Sequence, residues 1–357
     1  MDSSPDAPTS VRDASGDAAE RVVQGVRRVW EEKAVGLIYD HYQHNVHIHT
    51  AYGDRYGRDD LVTDAVEQLA AFPDLRLYGE DVIWDEARGY ISHRATRVAH
   101  NTGYSAFGRP TGKRVRYRTV TDYLVRGGRI AETWAVHDGL AVVRQLGLGV
   151  AEAVGAVTGV HPAPPPPHGV GEPQRLRGQN LPDSPPRPLL SDGAPGDGVK
   201  AFVAWVWHEL WNRRRFDRIA ELYAPDYRFF GPSGTRLGTR TGFTAYALGL
   251  LAAFPDATVQ LERLSSVGSG AEGRVAVRWR LFGTHEGPSR YGAPTGRRVN
   301  ILGITHHRLH GETFVEEWTV FDELALLAQL YAPDGSGAAP TPSAEPPLVG
   351  GSETGVK

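Results

Sequence analysis

The chain has 357 residues, of which 23% are charged and 40% hydrophobic, with a formal net charge of -3. That length suits two ordinary soluble domains, and the slightly acidic balance offers no footprint for nucleic acid. With no cysteine, disulfides, thiolate nucleophiles, Cys-type zinc sites and iron–sulfur clusters are excluded.

In chain order, residues 1–19 are mostly Asp, Ser, Ala, Pro and Gly and read as a disordered tail. They lack the basic and apolar regions of a secretory signal, and no apolar run is long enough to span a bilayer, so a cytoplasmic protein with no membrane partner is expected. A first domain is expected over 20–149 and a second over 199–332. Between them, 150–198 reads as a linker, most proline-rich from His161 to Gly198, where the missing amide donors preclude helix and sheet ladders. Residues 333–357 read as a second disordered tail.

The two domains repeat one another. Leu69-Ala70-Ala71-Phe72-Pro73-Asp74 recurs as Leu251-Ala252-Ala253-Phe254-Pro255-Asp256, and Pro110-Thr111-Gly112 as Pro294-Thr295-Gly296. Trp134, Val136, Asp138, Gln145 and Leu146 recur as Trp318, Val320, Asp322, Gln329 and Leu330. In the second copy, Phe202, Val203, Val206, Leu210 and Trp211 recur at helical spacing. A short helix with Ile219 and Leu222 should end at Pro225-Asp226, before a strand over Tyr227 to Phe230. A third helix is expected from Gly242 to Phe254. Period-two alternation then predicts strands over Thr258–Leu264, Arg274–Gly283, Arg298–Leu309 and Thr313–Phe321, and a last helix over Glu323–Leu330. Helices followed by an antiparallel meander mark an α+β domain.

These motifs, with Gly283-Thr284-His285-Glu286-Gly287 and Glu316-Glu317-Trp318-Thr319-Val320-Phe321-Asp322, resemble the SnoaL-like polyketide cyclase family. The first copy departs at the Gly-Thr-His motif, where it has Ala99-His100-Asn101-Thr102-Gly103. The resemblance implies two tandem cone-shaped domains of the nuclear transport factor 2-like fold, each a curved sheet around helices with a pocket inside. It also implies a cofactor-independent, metal-free cyclase of bacterial secondary metabolism that closes rings by aldol-type chemistry. Because members of the family pair as homodimers, an internal pseudo-dimer is expected.

Asp138 and Asp322 are the leading acid/base candidates. Each shares a strand face with Trp and Val, where burial would raise a carboxyl pKa toward neutrality; each is equally placed to cap the following helix. His137, His49 and His307 are candidate proton carriers or enolate stabilisers. Trp134, Trp318 and Trp279 are expected to line an apolar substrate pocket, with Tyr117, Tyr123, His47 and His285 as polar contacts. No histidine spacing is diagnostic of a metal, and no glycine pattern fits a nucleotide. Epoxide opening, with Asp122 beside Asp138, and a non-catalytic binding or assembly role are the alternatives.

Overall fold

The computed structural model describes residues 14–160, 186–188, 197–268 and 272–332. The outer parts of both expected tails and most of the expected linker lie outside them. No helix among the described residues is long and apolar enough to cross a membrane.

The first copy opens with α1 (Ala14–Glu31) and a short α2 (Ile38–His41). β1 (Tyr42–Thr50), β2 (Gly53–Tyr56) and α3 (Arg58–Ala71) follow, then the long strands β3 (Arg76–Asp85), β4 (Tyr90–His100), β5 (Arg114–Arg126) and β6 (Arg129–His137), and α4 (Gly139–Leu146). Helix α1 begins inside the span expected to be a tail. Ala19, Val22, Val26 and Val29 form one buried stripe, so the helix must start ahead of its first apolar contact.

An unexpected helix, α5 (Val150–Val160), occupies the start of the expected linker. Its Ala153, Val154 and Val157 are buried in the core cluster of the second copy, and that burial stabilises a helix which composition alone left as linker.

The second copy repeats the plan with α6 (Asp197–Trp207), a π-turn over His208–Asn212, α7 (Ile219–Leu222), β7 (Tyr223–Phe230), β8 (Arg236–Leu237), α8 (Arg240–Ala253), β9 (Thr258–Val267), β10 (Glu272–Thr284), β11 (Arg298–His310), β12 (Thr313–Phe321) and α9 (Glu323–Tyr331). Strand β7 starts at Tyr223, four residues earlier than expected. Pro225 and Asp226 sit in it exposed, where the register against β12 shifts; a proline is tolerated at such a bulge.

Each copy forms a six-stranded sheet, ordered β2-β1-β6-β5-β4-β3 and β8-β7-β12-β11-β10-β9. All pairs are antiparallel except β1 with β6 and β7 with β12. One extra residue in each of β3, β6, β9 and β12 shifts the register and bends these strands, as bulges do. The helices lie in the concave face of each sheet, giving two cones of the nuclear transport factor 2-like fold.

The convex faces of the two sheets meet. Val120, Leu124, Trp134 and Val136 from the first copy pack with Leu302, Ile304 and Val320 from the second in one buried cluster. Arg278 lies 3.5 Å over the Trp134 ring and donates to Asp122 at 3.0 Å; Arg94 lies 3.9 Å over Trp318. Ser92 and His306 hydrogen-bond across the same boundary at 2.8 Å.

Candidate functional site

Alternation along β6 and β12 separates the candidate residues into two places. On β12, Glu317, Thr319 and Phe321 point into the cone, while Trp318 and Val320 point at the other copy. On β6, Trp134 and Val136 likewise pack against the second copy. Trp134 and Trp318 therefore line no cone interior. The expectation that they wall the substrate pocket is corrected by the pairing of the convex faces, which supplies them with another buried environment.

Asp138 and Asp322 belong to this outer set. The Asp138 carboxylate accepts from the Ser233 N–H of the second copy at 2.9 and 2.8 Å and from the Ala141 N–H at 3.4 Å. Asp322 accepts from Leu324 and Ala325 N–H groups at 2.9 and 3.4 Å, and from the Tyr52 hydroxyl of the first copy at 3.4 Å. Both aspartates thus cap the helices that follow. Burial pushes Asp138 up to about 6 and Asp322 to about 7, the latter helped by the negative charge of Asp138. The expected raised carboxyl is present, but between the copies. Asp122, the partner required for epoxide opening, is in the Arg278 ion pair.

Inside the second cone, Trp207, Trp211, Trp279, Phe229, Tyr246 and Phe321 surround a cavity of about 20 Å³, with Glu317 and Thr319 in its wall. That is room for a water molecule, so a larger guest must part the aromatic walls. Trp279 is the expected pocket tryptophan found here. Its indole N–H donates to Thr305 Oγ1 at 3.0 Å. Glu317 is buried and accepts from the Tyr227 hydroxyl at 2.5 Å and the Thr319 hydroxyl at 2.6 Å. Burial pushes its carboxyl up to about 7, against the opposing pull of those two donors. His307 stands beside it, Nδ1 3.5 Å from Glu317 Oε2, and accepts from the Trp207 indole N–H at 2.9 Å. Burial and the neighbouring His306 lower His307 to about 3, so its imidazole is neutral. Sequence reasoning passed over Glu317 because it is one of two adjacent glutamates; only the strand period says that one turns inward.

The first cone is filled differently. Tyr117 and Tyr123 are buried in its inner clusters, on the side expected of them. Arg97 is 5% exposed, lies 4.3 Å over the Trp30 ring and donates to Gln68, with no carboxylate against it among the described residues. His93 Nε2, Arg97 Nε and His137 Nδ1 are buried without a hydrogen-bond partner. Burial first, and then the Arg97 charge, lowers His137 to about 3. Arg97 was missed, yet its counterpart in the repeat is Leu281, and a charge replacing an apolar residue on an inner face is a readable signal.

The remaining candidates lie elsewhere. His285 holds the loop after β10, reaching Thr295 Oγ1 at 3.3 Å and Ser289 Oγ at 3.4 Å. Asn101 does the same work in the first copy through Ala71, Gly103 and Thr111. Next to each staple a glycine is required: a Cβ on Gly103 or Gly287 would meet the Ala70 or Ala252 carbonyl oxygen at 1.8 Å. His47 and His49 sit on the convex side of β1, with Asp54 and Glu132, outside the first cone.

Among solved structures, wild-type IdmH from Streptomyces antibioticus is 18% identical, with 36% of this chain and 99% of that chain covered and a TM-score of 0.33. A SnoaL-like polyketide cyclase from Agrobacterium tumefaciens is 20% identical, with 36% and 97% covered and a TM-score of 0.32. TsrD from Streptomyces laurentii is 16% identical, with 37% and 96% covered and a TM-score of 0.33. No curated protein matches the chain. The family pattern described as SnoaL-like polyketide cyclase matches residues 20–146 and again 201–330, so the chain belongs to that family, in two tandem copies.

Proposed function

We propose that the protein is a cofactor-independent cyclase that closes a ring in a polyketide-like intermediate, with the second cone as its reaction chamber and Glu317 as the group that moves the proton. The observation carrying this reading is a carboxyl raised to about 7 in the wall of an aromatic cavity, since proton transfer is most efficient when the catalyst's pKa lies near the working pH. In the intramolecular aldol step, Glu317 takes a proton from the acidic carbon between two carbonyls. The resulting enolate carbon bonds to a second carbonyl carbon of the same chain, and the alkoxide formed takes the proton back, so no atom is gained or lost. The hydroxyls of Tyr227 and Thr319, now bonded to Glu317, are placed to follow the charge as it moves to the substrate oxygen. Trp207, Trp211 and Trp279 supply the apolar surface that folds the substrate onto itself. The chain works as an internal pseudo-dimer, in which Asp138 and Asp322 cap helices at the joint and take no part in the chemistry.

A second reading has one observation of its own. Arg97, which donates to Gln68 and meets no carboxylate among the described residues, stands beside the neutral His137 and suits the first cone to an acidic ligand.

The test is turnover of a linear poly-β-ketone by the full chain. Glu317→Gln should lose about 10²–10⁴-fold in kcat while keeping its melting temperature within a few degrees. Asp138→Asn with Asp322→Asn should still turn over. The reverse pattern overturns the assignment.

A further inference from the structure

His47 and His49 lie outside either cone, and their neighbours are specific. They stand two residues apart on β1 and so share a face. Glu132 is the β6 residue paired with His47, and Asp54 is the β2 residue paired with His49, so the register brings all four side chains onto one patch of the convex face. Glu132 Oε1 lies 3.4 Å from His47 Nδ1 and 3.4 Å from His49 Nε2. The three ligand atoms all lie within 4.8 Å of one another.

We propose that His47 Nδ1, His49 Nε2 and Glu132 bind a divalent transition-metal ion of the zinc class, with Asp54 holding the His49 imidazole from behind. Four observations support this. Ligand atoms about 2.0–2.1 Å from a tetrahedral ion are about 3.4 Å apart, which is the separation on both histidine–glutamate edges. Asp54 Oδ1 is 2.9 Å from the other nitrogen of His49, and its Oδ2 is 3.7 Å from the other nitrogen of His47. A carboxylate on the far nitrogen fixes the tautomer and orientation of a ligating imidazole. The rings are also clamped by stacking, His47 on Tyr56 at 4.2 Å and His49 on Trp134 at 4.8 Å, so little ordering remains on binding. Finally, two carboxylates and a divalent cation balance in charge. Two imidazoles and a carboxylate with no thiolate suit zinc, and leave a coordination position for water.

The second copy is an internal control. At the positions of His47, His49, Asp54 and Glu132 it has Arg228, Phe230, Arg236 and Glu316. Arg228 pairs with Glu316, and Phe230 stacks on Trp318 at 5.4 Å. The same backbone therefore serves as a scaffold without metal ligands, which makes His47→Arg with His49→Phe a substitution set that this fold already accommodates.

Calorimetric titration of the full chain with zinc chloride should give one ion per chain. Affinity should fall more than a hundredfold in the double variant, and about 10–100-fold in Asp54→Asn, which removes only the support. Zinc should raise the melting temperature of the parent chain and leave the double variant's unchanged. If the double variant does not fold, Glu132→Gln, which keeps the volume and removes the charged ligand, gives the same reading. No zinc binding by the parent chain, or equal affinity in Glu132→Gln, would overturn the site. The proposal is independent of the chemistry assigned to Glu317.

Discussion

Where the first cone carries Arg97, the second carries Leu281; where the first has His137 and Ala95, the second has Phe321 and Trp279. One interior holds a buried cation and two imidazoles with unpaired nitrogens. The other is packed with aromatic rings around one carboxyl near neutrality. The shared backbone plan shows that the cone tolerates opposite fillings, because the strands and the helix stops are set by residues the copies share. Divergence lies in the side chains that this frame carries, on the inward face at Arg97 and Leu281 and on the convex face at His49 and Phe230.

The contrast is sharpened by exchanging residues between the cones. Leu281→Arg should cost upward of about 4 kcal/mol, because it buries a charge and overpacks an aromatic interior whose wall carboxyl, Glu317, already has its own donors. Arg97→Leu should instead stabilise the first by about 1–4 kcal/mol, as apolar replacement of a buried charge often does. Urea midpoints read both, and equal signs would show the interiors to be electrostatically alike. At the joint, Asp122→Ala should cost about 3 kcal/mol by stripping Arg278 of a buried partner, and His306→Ala, at the matching position, should cost less because His306 brings no carboxylate to an arginine. In the loops, Asn101→Ala should cost about 2 kcal/mol through the buried backbone groups it leaves unpaired, with His285→Ala the smaller loss because its hydrogen bonds are longer.

The most gradual effect is in pH. Folded Asp138 and Asp322 titrate at about 6 and about 7, above the unfolded value near 3.8. Between about pH 4 and 7 the folded state therefore binds more protons, and these groups withdraw stability as pH rises, by about 1.4 kcal/mol per pH unit each at most. The stability of Asp138→Asn with Asp322→Asn, measured relative to the parent chain by chemical denaturation, should climb across that window and level off above it. A flat difference would mean that neither group is raised.

Much of this was legible in the sequence. The repeat, the two sheets and the helix stops at Phe72-Pro73 and Phe254-Pro255 follow from local patterns. What could not be read was which face of each strand looks inward. Alternation says that Trp134, Val136 and Asp138 share a side; when both faces are buried, one by helices and one by a second sheet, hydrophobicity no longer marks the interior. Alternation alone therefore puts Trp134 and Trp318 in a pocket wall and leaves Glu317 and Arg97 unmarked. Helix α5 was missed for a related reason: its apolar side is matched by a surface distant in sequence.

That helix has a consequence for how the protein can be divided. The family pattern stops at residue 146 in the first copy and resumes at 201, leaving Val150–Val160 outside both matches. Yet Ala153, Val154 and Val157 complete the core of the second copy. A fragment starting at residue 201 would leave part of its own interior behind on the other half, and one ending at 146 would discard a segment that completes its sibling's core. The natural unit of recombination, and of any engineering that borrows one cone, is the second copy together with the last helix of the first.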